Sequence, residues 1–405
     1  MKGTLPPTLP GVHRRVAKEL VEAARHVCPY PLANHGNNRW LPALVCLTGL
    51  SLAQAAAPER SCAVFDSDGH WASAVMISGT LIFEMHPPDA PPKGIEMHLE
   101  GEPMFCRLFL STDKRYAAVG IYLSIGSEDA VQIGAFDRST GKWASNFVVK
   151  QREDLWAKLR LNGFLGDTSN LVVTGIGKSK PREDVKFKAL LFAPDGQQTP
   201  DSGFERILPR SNRSWDADSV DARHNRLWFV GSPRFCPMRS VTLTGPVDYG
   251  PSITEAAVGG TACLPSVIGF PEANLVVGGN TGNRNWVWRV DVASGTGEKI
   301  ELPQSRPTGL VKRNGYAMSP IPEFSPDGEV FALARSITAW DTFDRPGDGG
   351  GELDIIQSKP LKVLAVIPST DACGSGSVAL DHRNGLTTVL RRRCGKWERD
   401  EFPKR

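Results

Sequence analysis

The tripeptide Glu-Met-His occurs twice in this chain, beginning at Glu84 and at Glu96, and it carries residue types that bind metal ions. Residues two apart in a β-strand face the same side. If the two segments pair antiparallel around residue 91, Glu84 lies opposite His98 and His86 opposite Glu96, with opposed side chains about 5 Å apart. Imidazole and carboxylate groups are ligands of Zn²⁺ and similar ions. The sequence therefore predicts a metal site formed by Glu84, His86, Glu96 and His98; two Glu–His pairs on a solvated face are the alternative.

A second group of titratable residues lies between Asp216 and His224. Asp216, Asp218 and Asp221 offer three carboxylates, which suit Ca²⁺. A calcium-binding loop needs Gly at its sixth position and Glu at its twelfth, where this chain has Asp221 and Leu227, so an ordinary polar turn is the preferred interpretation. For a catalytic site assembled from several loops, the candidate residues are Asp216, Asp218, His224 and Asp327.

The elements that must position these residues recur along the chain. Six segments, each an apolar strand, a polar turn and a second apolar strand, end 47 to 56 residues apart. They span 109–120, 164–175, 220–231, 267–278, 324–334 and 378–390, and a weaker seventh spans 63–76. Further strand pairs follow several of them, so each unit contains about four strands. A β-rich period of this length is typical of a β-propeller.

The expected fold is therefore all-β, a propeller of four-stranded antiparallel blades, with seven blades and six as the alternative. A ring of blades must close to remove its sheet edges. We expect residues 58–61, or the first strand itself, to complete the last blade.

Two of the units resemble a known repeat family. Phe324–Arg335, followed by Ile337–Thr342, and Trp286–Lys299 are similar to the strands and turns of WD40-type and TolB-type repeats. The units are longer than the usual WD40 repeat, and no Gly-His dipeptide opens them. The chain therefore resembles a bacterial secreted WD40-like or TolB-like β-propeller more closely than a eukaryotic WD40 scaffold.

Residues 1–57 differ from the rest of the chain. The largely apolar run Leu41–Leu52 follows Arg39 and precedes Ala53-Gln54-Ala55, the arrangement of a secretory signal peptide. About 39 residues precede the run, which is long for such a signal, and a buried or interfacial helix is the alternative. We expect an N-terminal extension plus signal peptide at 1–57, a single propeller domain at 58–405, and export to the periplasm or beyond.

The charge of the propeller region limits its partners. The whole chain has a formal net charge of +3, and residues 1–39 contribute +4 of it, so the remainder is close to neutral. A propeller region with so little net charge lacks the excess of Lys and Arg that binding to nucleic acid requires. Beyond residue 57, no apolar run is long enough to span a membrane. We expect a monomer that binds a protein, peptide or glycan, with no cofactor identified.

Six of the eight cysteines follow residue 57, and an even number in an exported chain indicates disulfides. Cys373 and Cys394 flank the hairpin at 378–390. Pairing centred near residue 384 brings position 373 opposite 395, so the sequence predicts a Cys373–Cys394 bond.

Function is less well determined than fold. The chain has neither a phosphate-binding loop nor the G-x-S-x-G motif of serine hydrolases. We expect a non-catalytic binding or interaction module. The alternative is a propeller enzyme, such as a metal-dependent hydrolase or lactonase, with its site at the mouth of the central channel.

Overall fold

The computed structural model describes the propeller region as a series of segments. These are residues 60–87, 90–126, 128–152, 157–177, 184–200, 203–208, 220–230, 238–250, 267–269, 274–281, 284–291, 294, 296–303, 316–318, 323–337, 351–369, 377–393 and 395–403. The regular elements in these segments are strands. No helix in this part of the chain has the length and hydropathy of a membrane span.

The described residues form seven antiparallel sheets, each built from consecutive strands. Sheet 1 contains β1 (Arg60–Phe65), β2 (Trp71–Ile77), β3 (Thr80–His86) and β4 (Lys93–His98). Sheet 2 contains β5 (Glu102–Leu110), β6 (Tyr116–Ile125), β7 (Glu128–Asp137) and β8 (Lys142–Lys150). Sheet 3 contains β9 (Ala157–Phe164), β10 (Leu171–Ile176), β11 (Val185–Phe192) and β12 (Phe204–Leu208). Sheet 4 contains β13 (Val220–Asp221), β14 (Arg226–Val230) and β15 (Met238–Thr242).

The remaining sheets follow the same order. Sheet 5 contains β16 (Val267–Gly269), β17 (Asn274–Thr281), β18 (Arg284–Asp291) and β19 (Gly297–Glu301). Sheet 6 contains β20 (Tyr316–Met318), β21 (Glu323–Phe324), β22 (Val330–Ile337), β23 (Gly351–Ser358) and β24 (Leu361–Ser369), with β20 and β21 both paired to β22. Sheet 7 contains β25 (Val378–Arg383), β26 (Leu386–Arg393) and β27 (Lys396–Pro403).

The core consists of apolar clusters between the facing sides of neighbouring sheets. Middle strands such as β7 are therefore buried on both faces. Their sequences are correspondingly rich in apolar residues. Cluster members include Phe83 and Ile121 between sheets 1 and 2, Val131 and Leu161 between sheets 2 and 3, Val172 and Leu227 between sheets 3 and 4, Val287 and Phe331 between sheets 5 and 6, and Val330 and Leu380 between sheets 6 and 7. This face-to-face stacking of antiparallel sheets confirms the expected all-β propeller.

The first and last sheets meet at a contact that we call the seam, which contains Ala63, Phe65, Ala379 and Leu390. The expectation that the first strand completes the last blade is wrong; of the alternative segment 58–61, residues 58 and 59 lie outside the described residues. Strand β1 pairs with β2 of its own sheet, beginning with Arg60 opposite Met76. Cys62 and Val64 of β1 pack in the cluster between sheets 1 and 2, whereas Ala63 and Phe65 pack at the seam, so side-chain packing joins sheets 1 and 7 where a shared strand was expected.

Hydrogen bonds reinforce the seam. Ser377 Oγ donates to the carbonyl oxygen of Ser61. Arg383 Nη1 donates to the carbonyl oxygen of Asp68 over 2.6 Å. Gly69 makes this approach feasible, because a Cβ on Gly69 would lie 1.9 Å from the Arg383 guanidinium. The turn of sheet 1 is thus shaped to receive an arginine from sheet 7.

Similar contacts continue around the ring at the turns that follow each first strand. Lys114 Nζ lies 2.8 Å from the carboxylate of Asp68, linking sheets 1 and 2. Thr112 Oγ1 donates to the carbonyl of Gly166 over 3.1 Å, linking sheets 2 and 3. The Gly166 N–H donates to the carbonyl of Ala222 over 3.1 Å, linking sheets 3 and 4. The turns of sheets 7, 1, 2, 3 and 4 therefore form one connected network.

A disulfide joins Cys62 of β1 to Cys106 of β5, with their Cα atoms 5.7 Å apart. These strands come first in sheets 1 and 2 and lie side by side, so the bond links two neighbouring sheets covalently. Sequence reasoning missed this pair. Cys373 and Cys394 lie outside the described residues, and their bond stays a prediction.

Thiol counting on oxidised, denatured protein tests both bonds. Cys62 and Cys106 should not react, and replacing both with Ser should lower the free energy of unfolding by about 4 kcal/mol, because the bond spans 44 residues. Urea denaturation of the double variant measures this loss. Labelling of Cys62 in the oxidised chain would contradict the observed bond, and labelling of Cys373 and Cys394 would contradict the predicted one.

Candidate functional site

The two Glu-Met-His segments lie on neighbouring strands, but not in the expected register. Glu84 lies opposite Gly94 and Glu96 opposite Ile82, so the pairing is centred on residue 89 and not on residue 91. Core packing explains the difference, because this register sets the buried Met97 opposite the buried Leu81. The four side chains share one face but are not directly opposed. Metal binding by Glu84, His86, Glu96 and His98 stays a prediction.

His86 is held by its own sheet and by the seam. Its Nε2 lies 3.4 Å from Glu84 Oε2 and 3.1 Å from Ser73 Oγ. Its ring stacks on Trp71 with 3.5 Å between centroids, and Trp71 meets the edge of Trp397 from sheet 7. Burial lowers the pKa of His86 to about 4, so the imidazole is neutral at pH 7 and its contact with Glu84 is not an ion pair.

Ser73, His86 and Glu84 do not form a catalytic triad. A triad needs the serine and the acid on different ring nitrogens, whereas both contacts here use Nε2. Ser73 is also fully buried, which keeps its hydroxyl from any substrate. The cluster is consistent with packing between sheets 1 and 7.

The residues predicted to form a catalytic site from several loops do not all lie together; those in the described part of the chain lie in different turns. His224 Nδ1 lies 2.7 Å from Asp221 Oδ2 in the turn of sheet 4. Asp327 lies in the turn of sheet 6 with Glu329, near His382 of sheet 7. Asp216 and Asp218 lie outside the described residues. In the described part of the chain, ligand atoms of Asp327 group with those of Glu329 and His382 and not with His224.

The first strands of the sheets enclose a cavity of about 520 Å³, which we call the central cavity. Its lining comes from six sheets or the turns that join their strands, including β1, β5, β9 and β21. Apolar surface comes from residues such as Phe109 and Phe164, and polar surface from Asn162 and Ser111. No sequence motif identifies this cavity, because its residues are distributed over most of the chain.

Cationic side chains line the central cavity more than anionic ones. Arg107 and Arg223 contribute positive charge, whereas Lys114 is paired with Asp68. The Arg107 guanidinium lies 6.0 Å from the centre of the Phe109 ring. Asp66 also lines the cavity, but it accepts a hydrogen bond from Arg138 Nη2 over 3.0 Å. The charge of Asp66 is therefore largely offset by Arg138.

Glu323 of β21 is the most perturbed acid in the cavity. Its side chain lines the cavity and is exposed there. The loss of bulk water around the carboxyl raises the pKa of Glu323 to about 7, against the opposing effect of the positive charge of Arg107. Near neutral pH this carboxyl therefore exists in both protonation states.

The neutral state of His86 makes stability depend on pH. The unfolded chain binds a proton at His86 near pH 6.5 and the folded chain only near pH 4, so stability should fall as pH falls through this window. The largest loss is about 3 kcal/mol. His86→Gln should remove this component in urea denaturation at several pH values, whereas His98→Gln on the exposed strand β4 should keep it. An unchanged pH dependence in His86→Gln would contradict the assignment.

Comparisons with known proteins show only distant likeness. No family model matches the chain. No curated protein sequence matches it. Solved structures with a similar backbone include an uncharacterized protein from Listeria monocytogenes, at 9% identity over 84% of this chain and 94% of that chain, with a TM-score of 0.41. A protein assigned as TolB from Agrobacterium tumefaciens has 14% identity over 80% and 87%, with a TM-score of 0.35. Prolyl oligopeptidase B from Galerina marginata has 10% identity over 85% of this chain and 48% of that chain, with a TM-score of 0.41. These likenesses carry no argument about function, and the fold assignment rests on the sheets and clusters above.

Proposed function

We propose that this protein is an exported, non-catalytic binding module whose central cavity receives an acidic peptide segment. The observation that carries the proposal is the cavity of about 520 Å³ with Arg107 and Arg223 in its lining. A cavity of this size holds a group no larger than a small molecule, so a folded partner can insert only a protruding segment. For a peptide or protein ligand, the part that enters the cavity is therefore an extended segment or chain end.

Charge supports the acidic character of the segment. Asp66 is offset by Arg138, Lys114 is offset by Asp68, and Glu323 is protonated in part near neutral pH, so the positive excess of the lining comes from Arg107 and Arg223. A positive, enclosed surface raises the local concentration of anionic ligands. Phe109 and Phe164 add apolar contact for the ligand's carbon atoms.

Export is supported by two independent features. The signal-like segment at Leu41–Leu52 indicates secretion. The Cys62–Cys106 bond is typical of oxidising compartments and rare in the cytosol.

Glu323 favours a second candidate function, that of a hydrolytic enzyme. A carboxyl with a pKa near neutrality inside a cavity is suited to donate and accept protons during catalysis. Such an enzyme would change its ligand chemically, whereas a binding module would release it intact. Mass spectrometry of a bound peptide after incubation separates the two functions.

Fluorescence anisotropy with labelled hexa-aspartate and hexa-lysine tests the binding proposal. Hexa-aspartate should bind and hexa-lysine should not, and Arg223→Gln and Arg107→Gln should each weaken binding by about 10-fold. Arg115→Gln is the matched control, because Arg115 is in the same turn as Lys114 but pairs with Asp137 over 3.1 Å outside the cavity. Equal binding of both peptides, or equal weakening by Arg115→Gln, would overturn the proposal.

The affinity for hexa-aspartate should also depend on pH. Lowering the pH from about 8 to about 6 protonates Glu323 and removes a negative charge from the cavity, so binding should tighten. Glu323→Gln mimics the protonated carboxyl and should bind tightly across this range. The same anisotropy titration at each pH measures this, and a variant with the wild-type pH profile would show that Glu323 does not face the ligand.

A further inference from the structure

The Cys62–Cys106 bond lies in the wall of the central cavity. In sheets 1 and 2 the lining comes from β1, from β5 and from the turns that follow them, and both cysteines belong to it. The same cysteines belong to the apolar cluster between sheets 1 and 2, and they keep 6% and 8% of their surface exposed. The bond therefore lies between that cluster and the cavity, within reach of a small reductant that enters the cavity.

The bond is the covalent part of the contact between β1 and β5. The two strands belong to different sheets, so no ladder of backbone hydrogen bonds joins them. Packing in the cluster holds them together, with Val64 and Leu108 among the side chains involved. Lys114 and Asp68 pair where the following turns meet, but these side chains are 41% and 54% exposed. An exposed ion pair contributes little and is screened by salt, so loss of the disulfide should weaken the contact substantially.

Each cysteine adjoins a residue that shapes the cavity. Arg107 follows Cys106 and supplies positive charge to the lining. Ser61 precedes Cys62, and its carbonyl oxygen accepts a hydrogen bond from the hydroxyl of Ser377, which also lines the cavity. A shift of β1 against β5 would therefore change both the position of the Arg107 side chain and the side of the cavity that faces sheet 7.

We propose that the Cys62–Cys106 bond is a redox switch that controls ligand binding in the central cavity. Its reductant is a dithiol: one thiolate attacks a cysteine sulfur to form a mixed disulfide and expels the other cysteine as a thiolate. The second thiolate then closes the reductant into a cyclic disulfide, so two electrons pass from the dithiol to the protein. The two expelled cysteine thiolates take up the two protons that the dithiol gives up.

Reduction acts on binding through the two strands. Without the bond, β1 and β5 move relative to each other, so the arrangement that fits the ligand is populated less and the apparent affinity falls. Thiol and disulfide states of other proteins change interfaces in this way. The effect on affinity rests on the proposed function, whereas the effect on the two strands does not.

Fluorescence anisotropy with labelled hexa-aspartate tests the effect on binding, using the full chain before reduction, after reduction with dithiothreitol and after reoxidation. Reduction should weaken binding by about 10-fold, and reoxidation should restore it. A Cys62→Ser, Cys106→Ser variant should bind like the reduced wild type and should not respond to dithiothreitol. A Cys373→Ser, Cys394→Ser variant is the matched control and should respond like the wild type. Equal affinity of the oxidised and reduced wild type would overturn the proposal.

Alkylation followed by mass spectrometry shows whether the bond reacts in the folded protein. Dithiothreitol should reduce Cys62–Cys106 at urea concentrations below the unfolding transition, at a rate that does not rise with urea, because the reductant enters through the cavity. Circular dichroism checks that the reduced chain is folded. Reduction that occurs only as the chain unfolds would contradict the switch.

Hydrogen exchange measured by mass spectrometry distinguishes failure of the switch from failure of the proposed function. If the oxidised wild type does not bind hexa-aspartate, the proposed function fails, and exchange in β1 and β5 then decides on the switch. Reduction of the wild type should accelerate exchange in these strands by about 5-fold or more and leave β22 and β23 of sheet 6 unchanged. This measurement also serves if the Cys62→Ser, Cys106→Ser variant does not fold. Equal exchange in β1 and β5 before and after reduction would overturn the switch.

Discussion

Closure of the ring between sheet 1 and sheet 7 is the constraint on which the rest of this structure depends. A propeller is stable only when its first and last sheets cover each other's apolar faces. Here that cover comes from side chains at the seam, together with the hydrogen bond from Arg383 to the backbone of Asp68. Asp68 in turn pairs with Lys114 of sheet 2. The turn between β1 and β2 thus connects the contact between sheets 1 and 7 to sheet 2.

The central cavity exists because the first strands are held at fixed positions around it. The Cys62–Cys106 bond fixes two of these strands to each other. The turn network, through Thr112, Gly166 and Ala222, extends the same restraint to sheets 3 and 4. Charged side chains from distant parts of the sequence, Arg107 and Glu323 among them, can then face one cavity, where partial desolvation raises the pKa of Glu323.

The sequence predicts local and repeated features well. A hairpin is specified by neighbouring residues, so the recurring strand–turn–strand segments indicated both the all-β fold and its repeated sheets. The register of β3 and β4 was not predictable from the Glu and His residues, because the buried Leu81 and Met97 determine it. The expectation that the first strand would complete the last sheet was also wrong, because the pattern of apolar and polar residues in a strand does not show which neighbouring strand it will pair with.

Contacts between sheets were harder to predict than contacts within them. Cys62 and Cys106 do carry a signal, because each lies in the first strand of its unit a few residues before the turn. Equivalent positions of consecutive units lie side by side near the axis, and this rule would have found the bond. No comparable rule links Asp327 and Glu329 to His382, since the two acids lie in a turn of sheet 6 and the histidine lies in a strand of sheet 7.

Each sheet in the described residues is encoded by one uninterrupted stretch of chain, and no strand is exchanged across the seam. A propeller that closes with a shared strand divides one blade between the two ends of the gene, so any rearrangement there must preserve both halves. This chain has no such divided blade among its described sheets. Duplication or deletion of one coding segment would therefore add or remove a whole sheet without dividing another.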